Sequence, residues 1–576
     1  MAFNGAWFRR FVVIARLVCL SSAALGQTNS WISPSSGHWE DASWSLGILP
    51  AANQSVMITN AGSKAVGIFS TTSANFPASM TVSDLTVSAP DGWKNTLLLN
   101  FLGTAIPLRI LNNCTIGTNA SLENLFSGLQ VGGDLTLNGS FVQEGGVTIA
   151  TNGTVSVYGS MLLTNASLSF TDLFAAGADL MVQSGGSLDT SNLDVENFTL
   201  YAGSLRAQTA FLGNFSEQGG EFDLVTASFS GNSSISNGLL VSSNIEVAYN
   251  NFWQAGGNVV AKGSMFMFGL LEDYGPPLIG SYTFQGGFLQ CQSLSMGEVG
   301  YFDQTGGTNR VSGDVSMDRG GYTLGGGLLT DSNAIVYNDG FFEDIATIFS
   351  QSGGVHWVTN ALTCYGQYQF SGGTLVAPTI ALNGGSFTVS SGPVISNQAS
   401  IIFNGGSIEI NNTTQRLASA LLAGYSTIRF GPGSNRLMFA DSSGQTWSNS
   451  AQLVILGWNG SMSGGGTDQL FFGNSAHALT PGQLQQIEFI SPPGFQSQDL
   501  FATILPTGEV VPTTRPALAF SLSGANLLLQ WPAFSGFVLQ ASTNAAGPFE
   551  DISNAAPPFT NDISQFPRRF FRLRQQ

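Results

Sequence analysis

Charge is what this sequence has least of. Asp, Glu, Lys and Arg together make up 9% of its 576 residues, against about 25% in an ordinary soluble domain. Lysine is confined to Lys64, Lys94 and Lys262, and the formal net charge is −17. No basic patch interrupts that balance. Phosphate backbones and anionic membrane surfaces therefore lack the cationic partner they need, and nucleic acid is not an expected partner. Low charge does not imply disorder here, because hydrophobic residues reach 43% and a disordered chain needs low hydrophobicity with high charge.

Chemistry-bearing side chains are also scarce. Histidine occurs only at His38, His356 and His477. None sits in a nucleophile-elbow or zinc-ligand context, so each reads as a surface or capping residue. Cysteine occurs at Cys19, Cys114, Cys291 and Cys364. The last three are too few and too far apart to close a disulfide framework or a zinc site, and they read as small buried hydrophobes. The glycine runs at 325–327 and 464–466 lack the lysine or strand–helix setting of a phosphate-binding loop and read as turns.

Long apolar runs are nearly absent. The exception is the N-terminus, where Arg9 and Arg10 precede a mostly apolar stretch over residues 11–25, and Ala24-Leu25-Gly26 offers a small-x-small cleavage site before Gln27. That is the pattern of a secretory signal over residues 1–26, so a secreted or outer-surface location is expected. A membrane anchor would need about 20 apolar residues, and no other stretch is long enough to span.

What the chain has is glycine, 71 residues of it, in a fixed context. Gly-Gly pairs begin at Gly145, Gly185, Gly219, Gly256, Gly286, Gly306, Gly326, Gly353, Gly372, Gly384 and Gly405. Four residues before each stands a large residue: Phe141, Met181, Phe215, Phe252, Tyr282, Phe302, Tyr322, Phe349, Tyr368, Ile380 and Ile401. Two residues before, Gln143, Gln183, Gln254, Gln304 and Gln351 share the position with Phe284, Leu324, Phe370, Leu382 and Phe403. Three residues after, most are apolar, from Leu188 to Ile408. This reads as strand, glycine corner, strand. Successive pairs from Gly286 to Gly326 are 20 residues apart, and the intervals of 40, 34 and 37 between Gly145 and Gly256 are close to twice that. Such a period suits one coil of a parallel β-helix, in which stacked coils share a core no single coil could bury. The expected fold is all-β, a right-handed parallel β-helix over residues 81–410 of roughly 16 coils, on the order of 75 Å long. The large residues would stack as an internal ladder, and the glutamines as an amide ladder. The irregular intervals, Gly326 to Gly353 and Gly372 to Gly384, read as a loop insertion and as a coil with two corners.

The ends differ. Residues 27–80 carry Trp31, Trp39 and Trp44 and read as a segment capping the first coil. The three indoles suit a core better than a sugar platform. Residues 411–513 lose the glycine frame and read as a further β region. Residues 514–576 alternate apolar and polar residues between turns, with Trp531 and Leu539 in the apolar set, as in a small β-sandwich of fibronectin III type. The stretch WISPSSGHWEDASWSLGILPAANQSVMI, the period, and the stretch from Phe439 to Gly473 resemble secreted, autotransporter-like, glycine-rich repeat proteins of Verrucomicrobia- and Planctomycete-type bacteria. The resemblance implies secretion and a repeat fold, and no activity. In those proteins a sorting helix often follows the C-terminal region; here none follows Val511-Pro512.

One feature is uneven. Glu298, Asp303, Asp314, Asp318, Asp331, Asp339, Glu343 and Asp344 crowd a short stretch, with Glu272 and Asp273 before it and Arg310 and Arg319 within it. On a solenoid, residues one coil apart become neighbours. Asp303, Asp314 and Asp318 are the candidates for acid–base work on a polysaccharide. Asp331, Asp339, Glu343 and Asp344 are the candidates for Ca²⁺, the one cofactor considered. A solvated acidic face is the simpler reading, since fold does not give function. The sequence thus points to a secreted or cell-surface structural or adhesive solenoid with polysaccharide or cell-surface components as partners. The competing reading is a carbohydrate-active β-helix enzyme, a lyase or hydrolase.

Overall fold

The computed structural model describes residues 26–576, except 271–276, 338–346, 397, 496–497, 515–517, 532–536, 566–567 and 576. The signal-like segment, apart from Gly26, thus lies outside the described residues. Two compact units divide the chain, Met1–Asn192 and Leu193–Gln576. In each, the chain winds as stacked parallel coils of a β-solenoid.

The first unit shows why the sequence folds this way. Strands such as Gln54–Ile58, Asp84–Val87, Cys114–Ile116 and Leu135–Leu137 pair in parallel. Their alternate residues point inward and stack one above another. One column runs Val56, Leu85, Cys114, Leu135, Val155 and Leu173. A second runs Val66, Leu97, Leu122, Phe141, Met161 and Leu180. A third runs Val82, Ile110, Val131, Ala150 and Phe170. Every one of these side chains is buried. Cys114 sits among aliphatic neighbours as a small hydrophobe, as do Cys291 and Cys364 in the second unit, and all three are free.

At the start of this unit Trp31, Trp39 and Trp44 pack edge to face, with centroids 5.3 and 5.0 Å apart. They are buried. Trp44 Nε1 donates to the Trp39 carbonyl at 2.7 Å. They form a core, as the aromatic packing argument expects, and offer no open sugar platform.

In the second unit three columns continue the plan. One is aliphatic: Ile245, Met265, Leu294, Val315, Ala334, Leu362, Ile380 and Ile401. Another holds Val259, Leu289, Asn309, Leu329, His356 and Leu375. The third is the expected ladder of rings. Phe252, Tyr282, Phe302, Tyr322, Phe349 and Tyr368 stack with centroids 4.6–5.1 Å apart and planes within 16°. The column then passes through Phe387 and Ile408 to Ile428, Ile455 and Phe489.

Two expectations from the glycine frame are corrected. Ile380 and Ile401, grouped by sequence with the rings, stand in the aliphatic column, because Gly384 and Gly405 occupy a different corner of the coil from Gly372. The interval of 12 between Gly372 and Gly384 is therefore one coil with two corners. Met181 is also out of register: Leu180 pairs with Met161, so Leu180 and Val182 point inward. The longer interval before Gly353 leaves Tyr322 and Phe349 in adjacent register. Its extra residues fall at 338–346, outside the described set.

The corners need glycine for a physical reason. Gly307 and Gly327 have φ of +67° and +76°, where a side chain is strained. A Cβ on Gly327 would also lie 2.4 Å from the Gly307 carbonyl oxygen. Backbone packs on backbone there.

Parallel pairing extends beyond the glycine frame to Ile487–Ile490. Asp499–Ile504 and Glu509–Thr513 then pair antiparallel with the last strands and with each other, which ends the parallel ladder. The C-terminal module has two three-stranded antiparallel sheets around Leu529, Trp531 and Leu539, the expected small β-sandwich.

Candidate functional site

The glutamines do not stack on one another. Coils carrying Gln254, Gln304 and Gln351 alternate with coils carrying Phe284, Leu324 and Phe370. An amide ladder needs an amide in every coil, so it cannot form. Each glutamine instead meets the tyrosine of the next coil. The hydroxyls of Tyr282, Tyr322 and Tyr368 donate to the Oε1 atoms of Gln254, Gln304 and Gln351 at 2.5, 2.5 and 2.7 Å. Each Nε2 donates to two backbone carbonyls, for Gln351 those of Gly353 and Thr374. Phe-x-Gln coils and Tyr-x-apolar coils therefore alternate because one buries an acceptor that only the other can satisfy. Burial pushes all three phenols well above their ordinary pKa.

This network extends further at two points. Asn309 Nδ2 donates to the Tyr322 hydroxyl at 3.2 Å. His356 Nδ1 lies 3.0 Å from the Tyr368 hydroxyl, and its Nε2 lies 2.7 Å from Asp331 Oδ2. His356 and Asp331 are both buried, so the expectation of a surface or capping histidine is corrected at His356. It holds at His38 and His477, which are exposed. Asp331, a Ca²⁺ candidate by sequence, faces His356 inside the coil. Its companions Asp339, Glu343 and Asp344 lie outside the described residues. Among the described residues no three His, Cys, Asp or Glu side chains converge as metal ligands.

A signal for this interior did exist. Thr148, Asn309 and His356 are the polar exceptions at the position three residues after the glycine pair. All three are buried beside a glutamine coil: Thr148 donates to Gln143 at 2.8 Å, and Asn309 and His356 contact the tyrosines that Gln304 and Gln351 bind.

The catalytic candidates are distributed over two faces. Asp303 points outward from the ring-bearing ladder between Thr283 and Thr323, and partial burial raises its carboxyl pKa. Asp314 opens the strand Asp314–Met317 on a neighbouring face and accepts from Asn333 Nδ2 at 2.8 Å. Asp318 follows that strand. No hydrogen bond or ion pair joins any two of the three among the described residues.

Asp318 does line a groove of about 570 Å³ with Phe266, Ser295, Ser316, Arg319 and Tyr337. Glu298 lies at its edge, 3.4 Å from Arg319. The floor is made by outward-facing serines of adjacent coils, whose hydroxyls lie 2.9 Å apart. Gly297 keeps one end open for a ring: a Cβ there would strike Phe266 Cζ at 2.8 Å. At the other end Tyr337 stacks on Tyr365 with planes 4° apart.

No protein-family model, curated protein or solved structure matches this chain.

Proposed function

We propose that the chain is a structural or adhesive β-solenoid of the cell exterior that presents its outward faces to polysaccharide or other cell-surface components. The observation that carries this reading is the unbroken column from Phe215 to Phe489, coil on coil in register. Such a stack turns the outward residues into a surface with a short, regular spacing of about 4.8 Å. A regular surface suits a regular polymer, and extended faces of this kind are how repeat folds bind. The buried His356, Asp331 and tyrosines are engaged inside the coils and support the stack. The cell-exterior placement rests on the signal-like residues 1–26.

A second reading, a polysaccharide lyase or glycoside hydrolase, is favoured by one observation: burial raises the Asp303 carboxyl, the direction a general acid needs. Incubation of the purified protein with plant and algal polysaccharides, with and without Ca²⁺, separates the two. Co-sedimentation with a polysaccharide and no new reducing ends or unsaturated products is expected. Products that vanish in Asp303→Asn, Asp314→Asn or Asp318→Asn would replace the first reading with the second. Failure of every polysaccharide to retain the protein would overturn the polysaccharide-binding part.

A further inference from the structure

The groove between Phe266 and Tyr337 combines features that no other outward face of the second unit described above combines. Along this edge of the solenoid, large side chains give way to small ones for two coils. Phe266 pairs with Ser295, Ser295 with Ser316, and Ser316 with Ile335 of the next coil, whose strand ends one residue before Tyr337. Ring-bearing coils thus stand three steps apart, about 14 Å, with a hydroxyl floor between them. Phe266 is 39% exposed and Tyr337 42% exposed. Tyr365 stacks on Tyr337, and Tyr337 lines the groove.

We infer that this groove is a saccharide-binding site that takes a pyranose chain carrying no negative charge. The inference rests on the polysaccharide reading above and gives it a place. The C–H face of a pyranose is apolar and packs on an aromatic wall, while its hydroxyls need donors and acceptors at the edges. Phe266 and Tyr337 supply walls, and Ser295, Ser316 and the exposed Asp318 carboxylate supply polar edges. The charge selects among sugars. Arg319 is engaged by Glu298, so Asp318 leaves the groove with a net negative charge. A uronate or sulfated chain would meet like charge there and lose affinity. Neutral hexose chains meet no penalty, and an amino sugar finds a partner in Asp318.

The test uses the full chain and calorimetric titration with three probes: a neutral β-glucan hexamer, a chitosan hexamer and a polygalacturonate hexamer. Binding of one of the first two and not the third is expected. Tyr337→Ala should weaken that binding about tenfold, the loss of one aromatic contact. Ser316→Trp, which fills the floor from the outside and leaves the core untouched, should abolish it. Retained amide-exchange protection of Asp314–Met317 in both variants shows that the coil is intact. If the wild type binds and both folded variants bind equally well, the site lies elsewhere and the polysaccharide reading survives alone. Polygalacturonate binding as tight as the neutral hexamer overturns the charge argument. No binding of any probe by wild type overturns the site, and the polysaccharide reading falls with it if no insoluble polysaccharide retains the protein either.

Discussion

Two stretches of the second unit put a polar side chain at the same place in the coil and treat it differently. From Phe252 to Phe370, every buried glutamine of the ring-bearing strands receives a hydroxyl from the coil that follows. In the coil of Phe215, the equivalent residue is Glu217. It pairs in register with Ile235, and Phe215 with Ser233. The ring filling the next layer comes from another face: Phe229 packs 5.5 Å from Phe215 and 4.8 Å from Phe252. A phenylalanine cannot donate, and Ser233 is too short to reach across. Both Glu217 carboxylate oxygens are buried without a hydrogen-bond partner. The polar group facing them is the Leu239 N–H, which already binds the Gly220 carbonyl at 3.0 Å. Burial pushes the Glu217 carboxyl up to about 8. A buried polar side chain in a solenoid is thus made tolerable by the neighbouring coil, and where that coil changes, the group keeps its proton instead.

The largest effect is expected at the far end of the regular stretch. His356→Leu removes the partner of buried Asp331 and should cost about 3–5 kcal/mol, read as lost amide-exchange protection in Leu328–Val336 and Val355–Cys364. Next in size is a pH effect at Glu217. The unfolded chain ionises this carboxyl above its ordinary value of 4.5, while the folded chain holds the proton to about 8. The folded state therefore binds more protons between those values, and stability falls as pH rises through that window, by an amount on the order of a few kcal/mol. Glu217→Gln should flatten that slope and leave the protein more stable above the window, as followed by local exchange rates across the pH range. An unchanged slope would show that Glu217 is already ionised in the fold. Tyr282→Phe should cost about 1–3 kcal/mol by orphaning Gln254 Oε1. The double variant Tyr282→Phe with Gln254→Leu should recover most of that loss in the same exchange measurement, which would tie the cost to the pair. Smallest is Trp253→Ser, beside Gln254 but pointing outward and 50% exposed, expected within about 0.5 kcal/mol of wild type.

These particulars also show how far the sequence could be read. The glycine frame revealed the coil and the ring column, because a corner that packs backbone on backbone admits nothing but glycine and a stacked interior admits little but large apolar groups. It misplaced Ile380 and Ile401, since a glycine pair marks a corner without saying which corner. It did not mark the coils of residues 414–490, where no glycine pair follows a large residue by four positions. The Gln–Tyr alternation was present in the letters, yet it became legible only once register set one coil above the next. Asp331 and His356 lie 25 residues apart, and no local pattern joins them. The groove is legible least of all: Phe266, Ser316 and Tyr337 face it because of the winding, and their spacing along the chain follows no motif.

The three cysteines of the described coils carry a last consequence. Each is sealed in an apolar column, with its thiol pushed up to about 12. Thiol exchange proceeds through the thiolate, and at neutral pH these sulfurs have almost none to offer. The fold is therefore indifferent to the redox poise around it. Among the described residues the coils hold no disulfide for an oxidant to make or a reductant to open.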